Sequence, residues 1–213
     1  QMWRYLVLLL SALTLAAACS DDGPSPTTPD AGDGESRLEA IITTNKGVVT
    51  LELYPERAPI SVENFKQYIA DGFYNGVIFH RVIPNFMVQT GGHDEKLSKK
   101  RPRGPIKNEA TNGLSNKRGT VAMARTGVVN SATSQFFINV GDNSRLDHKG
   151  EQPRKYGYAV FGKVIEGMDV VDSIAGVPTH CPSQKRAPCN APIPAGMGDV
   201  PKDNIIIEKI ELD

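Results

Sequence analysis

The stretch FHRVIPNFMVQTGG, residues 79–92, sets Arg81 and Gln89 among bulky apolar side chains. Read by strand alternation, Val77, Phe79, Arg81 and Ile83 share one face, and Ile78, His80 and Val82 share the other. One face therefore carries a charge beside apolar groups. An edge strand uses such a charge to deter pairing with another chain. A guanidinium at the rim of an apolar pocket has another use. It keeps its charge at any physiological pH and presents a rigid fork of N–H donors, which suits a reaction in which a lone pair or negative charge develops.

Other chemistries find little support. His80, His93, His148 and His180 are scattered without i, i+4 pairs, so no metal site is expected. GVVNSATSQFF supplies serines without the glycines of a nucleophile elbow, and no glycine-rich phosphate loop is present. The densest basic run, Lys96, Lys99, Lys100, Arg101 and Arg103, sits among Ser, Pro and Gly without interleaved aromatic residues. It reads as a solvated loop, and no nucleic-acid partner is expected.

The elements that must hold these residues begin late in the chain. Its 213 residues suit one domain plus additional segments. With Gln1 set aside, Met2 and Arg4 precede the apolar run YLVLLLSALTLAAA, which is too short to span a bilayer comfortably and ends in small residues before Cys19. Residues 1–18 read as a signal peptide. LAAAC resembles a bacterial lipobox, which would make Cys19 a lipidated N-terminus. Ala16 stands where that pattern usually has leucine, and Ala16-Ala17-Ala18 also satisfies ordinary signal peptidase.

Residues 20–36, SDDGPSPTTPDAGDGES, are nearly devoid of apolar side chains and cannot offset the entropy of ordering. Together, 19–36 form a lipidated cysteine and flexible tether, spanning roughly 5 to 6 Å times the root of its length. Of the 24 basic and 24 acidic residues, Arg4 and Asp21, Asp22, Asp30, Asp33 and Glu35 fall in the leader and tether, leaving 23 bases against 19 acids from Arg37 onward. The expected location is the bacterial cell envelope, lipid-anchored and facing the periplasm, with the outer membrane one destination. Without lipid, the protein would be soluble in the periplasm.

Cys181 and Cys189 then remain as an even pair in a Pro-rich loop of an exported protein, and they read as a disulfide. Closing so short a loop restricts the unfolded chain by roughly 2.5 kcal/mol on the chain-entropy model. Zinc is the rival because His180 adjoins Cys181, yet the cysteine spacing is not that of a finger or knuckle.

From Arg37 the pattern is β-rich. RLEAIITT and GVVTLELY flank Asn45-Lys46-Gly47 and read as a half-buried hairpin. A helix follows, with Ser61 as its cap, Glu63 near its positive end, Val62, Phe65 and Ile69 inward, and Asp71-Gly72 as its stop. Strands are expected over 77–83, 86–90, 119–124, 135–140, 159–164 and 204–212. A second helix is expected over 168–174, with Val170, Val171 and Ile174 inward. Short strands with few helices indicate an antiparallel barrel or sandwich.

With FHRVIPNFMVQTGG, GTVAMART, SATSQFFINV and YAVFGKVIEGMDVVDSI in order, the chain resembles the cyclophilins, a family of peptidyl-prolyl cis-trans isomerases, most closely their periplasmic bacterial branch. The resemblance covers 37–213. It implies a mainly β fold, an eight-stranded antiparallel barrel capped by two α-helices, with a peptide groove on its outer face. The family's catalytic arginine falls on Arg81 and its supporting glutamine on Gln89. The substrate-binding positions fall on His80, Phe86, Met87, Ala124, Arg125, Gln135, Phe137, Leu146 and Tyr158. Two positions depart: Arg145 stands where many members carry an aromatic groove wall that packs against the inhibitor cyclosporin, and Tyr158 replaces a frequent histidine.

The implied reaction accounts for the lone arginine. Rotation about an X-Pro bond passes through a twisted state in which amide resonance is lost, with a barrier of roughly 18 to 20 kcal/mol. A donor aimed at the prolyl nitrogen's newly localised lone pair binds that state better than either planar one. No cofactor is needed. The implied partners are proline-containing unfolded or flexible polypeptides, and the implied state is a monomer. The alternative is a proline-binding module with a chaperone or scaffold role and little turnover; the presence of both Arg81 and Gln89 favours the enzyme.

Overall fold

A computed structural model describes residues 37–181 and 197–213. Cys19, the tether and Cys189 lie outside the described residues. Strands β1 (Glu39–Thr44) and β2 (Gly47–Leu53) form the expected hairpin, with Thr44 opposite Gly47. Gly47 has φ +134°, and a Cβ there would meet Val170 Cγ2 at 2.8 Å, so the turn is closed by a residue that lets a later helix pack against it.

The remaining strands are β3 (Val77–Ile78), β4 (Arg81–Ile83), β5 (Met87–Thr90), β6 (Thr120–Met123), β7 (Phe136–Asn139), β8 (Val160–Glu166) and β9 (Ile206–Leu212). They make one antiparallel sheet in the order β3-β9-β1-β2-β8-β6-β7-β5-β4. Its two edge strands, β3 and β4, are separated in the chain only by Phe79 and His80. The sheet therefore curls until its ends meet. Counted as one interrupted strand, β3 and β4 bring the barrel to the expected eight.

That interruption corrects the simple alternation over 77–83. Phe79 and Val82 both enter the main core, whereas Ile83 belongs to a second apolar cluster on the other face. Phe79 and Arg81 thus do not share a face. The backbone breaks phase where the first half of the strand leaves β9 and the second half joins β5.

Helix α1 (Pro59–Ala70) starts earlier than expected, and Ser61 is not its cap. Ala58 occupies that position with no side-chain cap, Pro59 opens the helix, and the Glu109 carboxylate takes over. It accepts from Ile60 N at 3.0 Å, Ser61 N at 2.8 Å and Ser61 Oγ at 2.7 Å, satisfying donors that the helix itself cannot. Glu63 falls beyond the first turn and pairs with Lys66 at 3.5 Å. Asp71 and Gly72 end the helix as expected.

Phe65 of α1 inserts between the rings of Phe136 (5.2 Å, edge-on) and Phe161 (5.4 Å). Val171 and Ile174 of helix α2 (Met168–Ala175) join the same cluster. Cys181 is disulfide-bonded, and its N–H donates to Gly198 O at 2.7 Å.

Candidate active site

Strands β4 to β8 place apolar side chains on both faces. Val82, Val88, Val121, Phe136, Ile138 and Phe161 fill the barrel, while their neighbours Ile83, Met87, Ala122, Phe137 and Val160 form the second cluster outside it. Partly buried Phe86, Ala124, Leu146 and Tyr158 pack against that cluster. A strand segment that is buried on both faces, such as β7, needs a second covering, and here the covering is incomplete. It leaves a cavity of about 100 Å³ lined by Arg81, Phe86, Met87, Gln89, Ala124, Arg125, Phe137, Leu146 and Tyr158. That is room for a small ring, well below the volume of a drug-sized site.

Arg81 and Gln89 face each other in the β4–β5 register. Arg81 Nη1 donates to Gln89 Oε1 at 3.5 Å, and Gln89 Nε2 donates to Gln135 Oε1 at 2.8 Å. Gly92 makes room for Gln135, whose Cδ would lie 2.7 Å from a Cβ there. Behind the guanidinium stands Asp199, with Oδ2 3.8 Å from Arg81 Nε. The Asp199 side chain is 12% exposed against 43% for Arg81, so the acid anchors from the protein side while the arginine keeps an open edge.

Phe86 follows a tight turn in which Phe86 N donates to Ile83 O at 3.1 Å, with Asn85 in the left-handed region at φ 58°. Its carbonyl accepts from Val140 N at 3.0 Å and Asn143 Nδ2 at 2.7 Å. Asn143 Nδ2 also donates to Asn139 Oδ1 at 2.8 Å, and Asn143 N to Asn116 O at 2.8 Å. This buried amide network also steadies the 3₁₀ turn Ser144–Leu146, which carries Leu146. Next to it, burial raises the Asp147 carboxyl, but hydrogen bonds from Asn116 N, Ser115 Oγ and Asn116 Nδ2 outweigh it and leave the pKa lowered.

Arg125 donates to the carbonyls of Gly157 (2.8 Å), Thr126 (2.9 Å) and Pro153 (2.8 Å), and its guanidinium carbon lies 4.8 Å from the Tyr158 ring centroid. Tyr158 in turn meets Phe137 edge-on at 5.7 Å. The tyrosine thus completes one wall by aromatic packing.

A second cavity of about 210 Å³ shares Gln89, Ala124 and Arg125 with the first and extends past Gln135, Ser131 and Thr133 to Lys99 and Lys100. The two make one continuous groove. Of the groove residues expected from sequence, only His80 lines neither cavity. It is buried with its ring centroid 4.5 Å from that of His93, and Nδ1 of both rings lacks a hydrogen-bond partner. Burial, then the neighbouring His93, lowers its pKa to about 4.

Residues 40–211 match the family description "Cyclophilin type peptidyl-prolyl cis-trans isomerase/CLD". This chain belongs to the cyclophilins. It is 60% identical over 136 residues to a peptidyl-prolyl cis-trans isomerase of Acinetobacter baylyi, covering 64% of this chain and 71% of that protein. It is 47% identical over 167 residues to peptidyl-prolyl cis-trans isomerase B of Escherichia coli, covering 78% and 94%. The crystal structure of a Cryptosporidium parvum cyclophilin type isomerase superposes with a TM-score of 0.63 at 26% identity, covering 83% of this chain and 98% of that one. The same protein was also solved in the presence of the dipeptide Ala-Pro.

In this cyclophilin, the strand residues that the resemblance places at the groove line its two cavities. Asp199 and the Asn116–Asn139–Asn143 network carry no such mark in the sequence. Asp199 lies 118 residues after Arg81 in an unpatterned MGDV segment, and isolated asparagines carry no periodic signal. Arg145, the departure noted in the sequence, lies with its guanidinium carbon 4.5 Å from the Phe86 ring centroid.

Proposed function

We propose that this cyclophilin accelerates X-Pro rotation in proteins of the bacterial cell envelope, with Arg81 as the catalytic donor. The observation that carries the reading is a half-exposed guanidinium, braced by Gln89 and Asp199, at the rim of a ring-sized apolar cavity. Phe86, Met87, Phe137 and Leu146 hold the pyrrolidine ring while the preceding residue turns. Arg81 then donates to the prolyl nitrogen, whose lone pair is localised only in the twisted state. The apolar walls exclude water and strengthen that contact. Lowering the barrier by roughly 6 to 7 kcal/mol corresponds to about a 10⁵-fold acceleration.

The 3.5 Å hydrogen bond from Arg81 to Gln89 is long, as catalytic hydrogen bonds often are before substrate arrives, and Asp199 at 3.8 Å forms an ion pair beyond hydrogen-bond distance. Gln89 and Asp199 engage Nη1 and Nε of the guanidinium. An isomerisation assay on an X-Pro peptide tests the reading directly. Turnover supports an enzyme, whereas peptide binding without turnover supports a proline-binding module.

The envelope location rests on LAAAC and the polar tether. Cys19 is read as the diacylated first residue of the mature chain. Mass spectrometry of the membrane fraction tests it: a lipid-modified Cys19 is expected, and an unmodified N-terminus would mean ordinary processing to a soluble periplasmic protein.

A further inference from the structure

The two cavities that make the groove are lined by Arg81, Arg125, Lys99 and Lys100, and by no carboxylate. Lys100 is turned inward, with Nζ donating to Phe73 O and lying 4.7 Å from the Phe73 ring centroid. The others are not turned away from the groove in this manner. Arg125 is held by carbonyl oxygens, which orient a guanidinium without cancelling its charge. Arg145 and Lys99 are exposed, and neither forms an ion pair among the described residues.

Arg145 adds a local imbalance at the proline pocket. Its guanidinium carbon lies 4.5 Å from the Phe86 centroid, and that of Arg81 lies 5.9 Å from the same ring. Two cations share one aromatic side chain. Asp199 offsets one of them from behind, leaving the other to face solvent beside the ring pocket. A carboxylate placed there would relieve the repulsion and gain a bidentate partner.

We infer that the groove selects proline segments with carboxylates flanking the proline, Arg145 receiving one on the Phe86 side and Lys99 one at the far end of the second cavity. This specificity rests on the isomerase reading of the same site. The selection acts on peptide affinity and encounter rate, because the cations are exposed and preformed. It therefore weakens as salt shortens the screening length.

The test compares kcat/KM of the full chain for short X-Pro peptides that differ only in carrying Glu, Ala or Lys about one to three residues from the proline, on either side. The Glu peptide is expected to exceed the Lys peptide about tenfold at low ionic strength. The ratio should fall severalfold near 0.5 M salt, where screening acts over only a few ångströms. Arg145→Glu should bring the ratio for substitutions on its own side to one or invert it, and Lys99→Glu should do the same on the other side. Because a ratio within one protein is read, partial loss of folded material does not enter. A Glu-to-Lys ratio within twofold of one, or one that Arg145→Glu leaves unchanged, would overturn the inference while leaving the isomerase reading intact. If no peptide is turned over, the isomerase reading fails, and the relative affinities of the same peptides, followed by amide chemical shifts, decide the charge preference on their own.

Discussion

Arg81 and Gln89 are register partners across β4 and β5, so the backbone ladder itself brings the guanidinium to 3.5 Å from the amide oxygen. Gln89 is fixed in turn by Gln135 at 2.8 Å. The proposed catalytic donor is thereby positioned by two adjacent strands rather than by a loop.

Arg81→Ala is expected to leave a folded domain whose isomerase kcat/KM falls at least a hundredfold, about 2.7 kcal/mol of transition-state stabilisation. Arg81→Lys should recover little, since an ammonium on a flexible stem cannot engage Gln89 and Asp199 while also donating to the substrate. Circular dichroism and a peptide assay on the same samples check both. Near-normal turnover in a folded Arg81→Ala protein would remove Arg81 from the mechanism.

Removing the carboxylate that caps α1 should cost stability without touching the groove. Glu109→Ala leaves Ile60 N and Ser61 N without their acceptor, and the expected loss is about 1 to 2 kcal/mol. For a domain of this size, that is a Tm decrease of roughly 2 to 8 °C. Glu109→Gln retains one acceptor oxygen and should lose less. Thermal denaturation of the three proteins, with isomerase activity compared below the transition, separates this effect from catalysis.

Much of this architecture was legible in the sequence because it is periodic. The hairpin at Asn45-Lys46-Gly47, the inward Phe65 and the paired positions Arg81 and Gln89 each follow from local pattern or from the family's motifs. Besides Asp199 and the asparagine network, three further features were not legible. Phe79 left the face assigned to it because the strand changes partners at His80, and alternation assumes a continuous ladder. The cap of α1 came from Glu109, a residue 49 positions from Ile60, whereas capping rules look only at neighbours. His80 turned inward against His93, a tertiary contact with no sequence signature.

That buried histidine pair gives the fold a pH dependence whose sign can be worked out. His80 is lowered from 6.5 to about 4 in the folded chain, first by burial, then by His93, with Arg81 adding to it; burial lowers His93 as well. Between pH 4 and 6.5 the unfolded chain binds more protons, so stability rises with pH across that window. The stabilisation is complete above about 6.5 and is lost as pH falls toward 4. For His80 it amounts to something on the order of 3 kcal/mol. Urea unfolding at pH 4.5 and 7 should show the difference, and His80→Gln should flatten it. An unchanged pH profile in that variant would assign the effect elsewhere.

The position of Arg145 bears on inhibition as well as on substrate choice. Its guanidinium lies over Phe86 at 4.5 Å, on the wall where an indole in other cyclophilins packs against cyclosporin. An apolar cyclic peptide must desolvate this charge or push it off the ring, and it regains neither the ring contact nor a hydrogen bond in exchange. A linear X-Pro substrate needs only the ring cavity and Arg81, and Leu146 keeps its wall whichever way Arg145 swings. The expected outcome is weak cyclosporin inhibition beside substantial isomerase activity. Arg145→Trp should strengthen inhibition about tenfold, equivalent to about 1.4 kcal/mol, because the indole restores an apolar wall with an N–H donor at its edge. Titrating cyclosporin against both proteins in one peptide assay measures this. Tight inhibition of the natural sequence, or no gain from tryptophan, would place the control of inhibitor binding at some other part of the groove.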